Sequence, residues 1–264
     1  MTLKMRLTIF LRSLFLQAGW NYLRYQGFGF AFTMLPFLRR LYKDKNLDAA
    51  VVRYMETFNT NPVMAVFCYG ALAKMEEEVA LSPVKKTGWR VIKTFLSTSA
   101  ASIGDRLFWD ALRPLTFIFG VFCAYLFAAG NFPNAYFSNA QAAFLPLATL
   151  VIYNAVAIYV KWKGLKASYD GNRDDAFGLL AFNWNGMIKV FKTLGFALTA
   201  LLAVFVWYRI YGTMSLGPQF LIYLTAVLFI FIVSGLAAKY HIPNVYIYFL
   251  ITLVIVAGTY IYKL

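Results

Sequence analysis

Ile103-Gly104-Asp105-Arg106-Leu107-Phe108-Trp109-Asp110-Ala111-Leu112-Arg113-Pro114 is the stretch at which the chain changes character. Up to and including it lie 16 of the 25 basic residues and 8 of the 11 acidic ones, and beyond it come five long apolar runs. The stretch sets two carboxylates, two guanidiniums and an indole immediately before the first of those runs. Charged groups at the mouth of a membrane span cost several kcal/mol unless they pair or face water. The plainest reading is interfacial anchoring by arginine and tryptophan. The more specific one is a polar site at the hinge between an N-terminal region, 1–114, and a transmembrane bundle, 115–264.

Of the 264 residues, 61% are hydrophobic, 19% aromatic and only 14% charged, against about 25% charged in soluble proteins. That composition is one of an integral membrane protein. The net charge of +14 raises nucleic acid as a partner, but the basic residues sit around apolar runs rather than on a soluble basic face, so nucleic acid is excluded. The charge reads as membrane topology. Cys68 and Cys123 lie in apolar surroundings and read as fillers rather than as a disulfide. The N-terminus has no A-x-A-like cleavage site, and Arg12 interrupts its apolar run, so it reads as a retained amphipathic helix.

In order along the chain, Leu7, Phe10, Leu11, Leu14, Phe15 and Ala18 recur at helical spacing and predict one amphipathic helix over Leu3–Tyr25, suited to the headgroup layer or to a partner subunit. Gly27–Leu38 is apolar but too short to cross a hydrocarbon core about 30 Å thick, which predicts a re-entrant or interfacial segment ending at Arg39 and Arg40. Asn46 is a candidate N-cap for a helix to Phe58. Asn61 with Pro62 reads as cap and first turn of the next helix, Pro62 to Ala80. The break Asn59–Pro62 is either an ordinary turn or a broken-helix site of the kind transporters aim at substrates. Glu76-Glu77-Glu78 and Lys85-Lys86 read as a solvated charge run. Trp89–Leu96 reads as a short helix, and Ser97–Gly104 as a small-residue segment that permits close helix approach, with a second break at Ser102–Asp105.

The runs Leu115–Gly130, Ala143–Val160, Leu194–Tyr211, Phe220–Ala238 and Val245–Tyr262 are each near the length of a span. The expected fold class is therefore all-α: a polytopic membrane protein with N-terminal amphipathic and re-entrant helices followed by about five transmembrane helices. Loop charges alternate, none over Asn131–Ala142 or Gly212–Gln219 and six basic residues over Lys161–Thr193. The positive-inside rule then places the N-terminal region in the cytoplasm and the C-terminus outside.

His241, the single histidine, has no carboxylate near it in sequence and reads as structural. No metal-ligand cluster, phosphate loop, nucleophile elbow or C-x-x-C is present, so neither cofactor nor catalytic centre is expected. What stands out is a set of uncharged hydrogen-bonding groups in apolar settings. Gln17, Asn21, Asn59 and Asn61, joined by the carboxylate of Asp105 and the indole of Trp109, suit a polyhydroxylated ligand, since amides and carboxylates pair donors with acceptors and an indole stacks on a sugar face. The same groups also suit helix-to-helix bonding.

Leu11-Arg12-Ser13, Gln17-Ala18-Gly19-Trp20-Asn21-Tyr22-Leu23-Arg24-Tyr25-Gln26-Gly27, Leu35-Pro36 with Arg39-Arg40-Leu41-Tyr42, Phe58-Asn59-Thr60-Asn61-Pro62, and Gly104-Asp105-Arg106-Leu107-Phe108-Trp109 with Arg113-Pro114 occur in this order and spacing. They resemble the enzyme IID membrane component of the mannose-type sugar phosphotransferase system, over roughly residues 10 to 130. The resemblance implies a multi-pass bacterial inner-membrane subunit that pairs with an enzyme IIC partner, as trimers of such pairs. Together the pair forms the path of a hexose that cytoplasmic IIA and IIB components phosphorylate, so this chain itself would hold no phosphoryl chemistry. Two departures stand out: Leu23 where the family often has Glu, and Arg106 where it often has Pro. Two functions follow, a hexose-transport subunit or a non-transporting scaffold or sensor that keeps the IID fold.

Overall fold

The computed structural model describes residues 1–81, 88–128 and 145–213. Its helices are α1 (Leu3–Ser13), α2 (Gly27–Leu41), α3 (Asp44–Tyr54), α4 (Ala65–Leu81), α5 (Trp89–Gly104), a π-helical segment (Asp105–Leu112), α6 (Arg113–Ala128), α7 (Leu145–Asp170) and α8 (Trp184–Thr213). The described residues hold no strand, only isolated bridges from Tyr25 to Asn21 and to Phe58. Two compact units divide the chain, 1–202 and 203–264, and of the second only 203–213 is described.

In the first unit α4 is the axis. Met64 to Tyr69 are fully buried, and the helix packs along α7, with α2 and α5 also against it. Gly70 permits the α7 contact: a Cβ there would stand 1.9 Å from the Ser168 hydroxyl oxygen and 2.7 Å from the Leu165 carbonyl. This is the small-residue device of helix pairs in membranes. The Ser168 hydroxyl then donates to the Val66 carbonyl, closing the seam. Beside it, Phe30 stacks on Phe58 at 4.0 Å, on Tyr69 at 5.1 Å and on Tyr54 at 5.3 Å, tying α2 and α3 to α4.

The N-terminal amphipathic helix is shorter and turned otherwise than its pattern predicts. It ends at Ser13, and the backbone then runs through i,i+3 turns, with Leu14 bonded to Leu11, Phe15 to Arg12 and Ala18 to Phe15. The face that packs inward carries Ile9, Ser13 and Leu16, while Leu7, Leu11, Leu14 and Phe15 are exposed. Polar contacts decide this orientation. The Arg6 guanidinium donates to the Trp162 carbonyl at 2.8 Å and lies 3.9 Å over the Trp162 ring, and the Lys161 ammonium donates to the Ser13 carbonyl.

Lys161 lies just past the apolar run that ends at Val160, and desolvation lowers its pKa from 10.5 to about 8. The folded value lies below the unfolded one. Between about pH 8 and 10 the unfolded chain therefore holds the extra proton, and stability rises with pH through that window. Thermal unfolding in detergent is expected to shift upward from pH 8 to 10 in the wild type, and Lys161→Met should remove that shift. Equal slopes for the two proteins would refute it.

Other expectations are corrected. The third helix starts at Asp44 and ends at Tyr54, with Lys43 rather than Asn46 in the cap position. Segment Gly27–Leu38 extends to Leu41 as a 15-residue helix containing Pro36, roughly 22 Å at 1.5 Å per residue and still short of a core about 30 Å thick. The acidic half of the expected charge run is not a solvated face, as Glu76 is fully buried, Glu77 accepts from the Tyr169 hydroxyl and only Glu78 is exposed, while Lys85-Lys86 lies outside the described residues. Glu76 is buried because partners reach it, as its Oε1 accepts from Arg53 at 2.6 Å and its Oε2 from the Tyr42 hydroxyl at 2.6 Å. Burial and the Glu76 carboxylate together push the Tyr42 phenol up to about 12.

Ser102–Asp105 is not a break. Gly104 and Asp105 both have right-handed helical angles, so α5, the π segment and α6 follow one another without interruption, and the expected short helix over Trp89–Leu96 is only the beginning. The expected span Leu115–Gly130 is helical through Ala128, where α6 ends and the described residues stop, while α7 and α8 run past the apolar runs. The expected loop Lys161–Thr193 shrinks to 171–183, folded around the Asn172 and Asp175 carboxamide and carboxylate oxygens, which accept backbone N–H groups. Two stretches among the described residues are long and apolar enough to cross a membrane, Trp89–Tyr125 and Trp184–Ala203. The expected spans Phe220–Ala238 and Val245–Tyr262, and His241, lie outside the described residues.

Candidate functional site

Asn61 begins the site. Its carbonyl accepts from Ala65 N–H, and its side-chain oxygen accepts from Val63 N–H at 3.1 Å, the cap that an Asn-Pro start to a helix provides. That leaves the side-chain amide free to donate, and it donates to Asp105 Oδ1 at 3.1 Å. Asn61 is buried, whereas Asp105 is exposed. Directly before Asp105, Gly104 lets α5 come down on the turn: a Cβ there would stand 2.4 Å from Asn61 Cβ and 2.7 Å from Met64 Cγ.

From Asp105 the backbone changes from i,i+4 to i,i+5 hydrogen bonding, with the Arg113 N–H bonded to the Phe108 carbonyl. Wider π turns concentrate at functional sites. Asp105 meets Asn61 at the start of this segment, and Trp109 and Arg113, four residues apart, both line one cavity. Arg106 and Asp110, four residues apart, both lie within this segment. Arg106 joins neither Asp110 nor Asp105, the ion pairs among the described residues being Arg53–Glu76 and Arg90–Glu56.

The cavity measures about 390 Å³ and is lined by Gln17, Asn61, Pro62, Val63, Trp109, Arg113, Thr116, Thr149, Leu150 and Tyr153. It thus brings Gln17, Asn61 and Trp109 together, with Asp105 hydrogen-bonded behind Asn61. The remaining two candidates sit elsewhere. Asn59 is exposed beside the Asn61 turn and does not line the cavity. Asn21 organises its own turn, its side-chain oxygen accepting from Leu23 and Arg24 N–H while its amide donates to the Gly19 carbonyl. Reasoning from sequence did not single out Arg113, Thr116, Thr149 and Tyr153 as site residues. Thr149 and Tyr153 come from α7, and nothing local in their apolar run marks them, whereas Arg113 and Thr116 were signalled only by lying one and two turns beyond Trp109.

Chemically the lining is an indole half exposed to the cavity, an amide on each of two segments, hydroxyls from Thr116, Thr149 and Tyr153, and one guanidinium 6.0 Å over the indole ring. Such a mixture offers hydrogen-bond donors, acceptors and an aromatic face within one cavity. No cluster of three or more potential metal ligands occurs among the described residues.

A family model described as the PTS system mannose/fructose/sorbose family IID component matches residues 1–263. Among curated proteins, the chain is 30% identical to the PTS system mannose-specific EIID component of Escherichia coli (strain K12) over 63% of this chain and 55% of that one. It is 35% identical to the PTS system sorbose-specific EIID component of Klebsiella pneumoniae over 61% and 55%. The chain thus spans about half the length of the curated relatives it matches. Among solved structures, the mannose transporter ManYZ in complex with microcin E492 superposes with a TM-score of 0.54 at 27% identity, covering 76% of this chain and 70% of that one. A second, described as a membrane protein, gives a TM-score of 0.60 with the same identity and coverage. Sequence blocks, an all-helical architecture and these likenesses agree: the chain belongs to the mannose/fructose/sorbose family of phosphotransferase-system IID components.

Proposed function

We propose that this chain is a transport subunit of a sugar phosphotransferase permease in a bacterial inner membrane. With an enzyme IIC partner it forms the path of a hexose that IIA and IIB components phosphorylate on the cytoplasmic side. The observation that carries the reading is the cavity where Gln17, Asn61 and Trp109, three separate segments of sequence, converge. A scaffold has no need to gather them around an open volume. The likeness to ManYZ supports a IIC partner. So does the exposed apolar stripe of Leu7 and Leu11 on α1 with Leu14 and Phe15 in the turns after it, whose neighbouring guanidiniums Arg6 and Arg12 lie over the Trp162 and Phe32 rings. Apolar faces of this size are covered by protein or lipid, and trimers of IIC–IID pairs with lipid around them would cover this one.

The test is sugar uptake by cells that express the chain with its IIC, IIB and IIA partners and lack other routes. Losing a hydrogen bond to the sugar costs on the order of 1–3 kcal/mol, roughly 5- to 150-fold in apparent affinity. Asn61→Ala and Trp109→Ala are each expected to show a loss in that range, with the complex still co-purifying. Asn59→Ala, outside the cavity, should remain near wild type. Unchanged uptake in Asn61→Ala, Trp109→Ala and Gln17→Ala, with assembly intact, would remove the cavity from the sugar path.

A further inference from the structure

α6, whose apolar run begins at Leu115, and α8, whose run begins at Leu194, flank a second cleft, of about 220 Å³, that shares no residue with the first cavity. One wall is Pro114, Leu115 and Ile118, and the other is Gly195 and Phe196. Around it the surface is that of a lipid-facing pair of helices, with Phe117, Val190, Leu194, Phe196 and Leu201 exposed. The first turns of α8 pack into the core through Trp184 and Ile188, while beyond Phe191 the described residues of the helix are largely exposed.

Two charges interrupt this apolar lining, Asp110 and Lys192. Both are exposed, and neither belongs to either ion pair found among the described residues. An unpaired carboxylate or ammonium on a lipid-facing surface is costly unless water or a counter-charge reaches it. Both residues stand shortly before their apolar runs begin, at Leu115 and Leu194. On the loop charges this is the cytoplasmic end of both spans, at headgroup depth. The two charges select among headgroups. An anionic headgroup would meet Lys192 but be repelled by Asp110, and a bare cation would meet the reverse. A headgroup that carries a phosphodiester and a primary ammonium satisfies both.

We propose that this cleft holds one zwitterionic aminophospholipid, with its phosphodiester on Lys192, its ammonium on Asp110 and an acyl chain between Pro114–Ile118 and Gly195–Phe196. The site works by charge complementarity at one end and apolar fit along the rest. Asp110 belongs to the same π segment that presents Trp109 to the first cavity, so the lipid site and that cavity share this segment.

The experiment is native mass spectrometry of the full chain purified with its membrane partner in mild detergent, titrated separately with phosphatidylethanolamine and phosphatidylglycerol. Wild type is expected to retain phosphatidylethanolamine roughly fivefold more than phosphatidylglycerol, a difference that must come from the ammonium. Asp110→Asn should lower phosphatidylethanolamine retention to the phosphatidylglycerol level, and Lys192→Gln should lower both. Equal retention of the two lipids by wild type overturns the proposal without recourse to any variant. So does wild-type retention in both variants, or efficient disulfide crosslinking of Phe196→Cys to a partner helix in native membranes, which would show the cleft filled by protein. Lipid retention is counted on the intact complex and does not depend on whether the first cavity carries sugar.

Discussion

Glu76→Ala is expected to destabilise the chain by about 3–5 kcal/mol, because it removes one member of a buried charge pair and leaves the other uncompensated. The carboxylate is fully buried, and Arg53 and the Tyr42 hydroxyl both donate to it at 2.6 Å. Deleting it strands a guanidinium whose Nε already lacks a partner, next to the buried and unpartnered Tyr54 hydroxyl. The Arg53 side chain retains 26% exposure, so part of its charge can reach water and the loss should fall nearer 3 kcal/mol than 5. Glu76→Gln keeps an acceptor for Tyr42 and should cost less. Arg53→Met leaves a carboxylate with no exposure and should cost at least as much as Glu76→Ala. The double variant Arg53→Met with Glu76→Leu, which removes both charges and fills the space, should recover much of the loss. Denaturant-induced unfolding in detergent micelles measures the series. A cost below about 1 kcal/mol for Glu76→Ala would mean that the pair does not hold α3 to α4.

The second large effect is expected at Gly104. Valine there places atoms 2.4 Å from Asn61 Cβ and 2.7 Å from Met64 Cγ, where real side chains do not stand. Neither neighbour is the loose end of a flexible chain, since Asn61 is held by its bonds to Val63 N–H and to Asp105. Either α5 lifts from the turn or Asn61 leaves its cap. Overpacking of this kind costs about 1–3 kcal/mol, and displacement of Asn61 should also reduce uptake by roughly 100-fold, the equivalent of about 2.7 kcal/mol. Valine at Ser102, an exposed position half a turn away, adds similar bulk without a neighbour to strike and should change neither stability nor uptake. If Gly104→Val keeps both, the close approach of α5 to the Asn61 turn is not needed for the site.

Much of this protein is legible without coordinates, and the reasons are local. The apolar runs announce a membrane chain because every backbone polar group in lipid must bond within its own helix, which restricts spans to long apolar stretches. Asn61 before Pro62 announces the turn that leads into α4, although the helix itself starts at Ala65 rather than at Pro62, because the bonds are made by neighbours two and four residues away. The blocks around Gln17, Asn61 and Gly104–Pro114 announce the family by their order. Tertiary structure alone decides the rest. Glu76 looks like its neighbours Glu77 and Glu78 until Arg53 and Tyr42, 23 and 34 residues away, arrive to hold it inside. The α1 stripe points outward because Trp162 and Lys161, some 150 residues on, capture Arg6 and Ser13. The break expected at Ser102–Asp105 is a continuous helix that widens to a π turn, a change of hydrogen-bond register that no spacing of apolar residues encodes. Thr149 and Tyr153 join the cavity because α7 packs on α4 and α6. Periodicity records which face of a helix is apolar, but which face is buried depends on long-range partners that can satisfy the polar groups upon it.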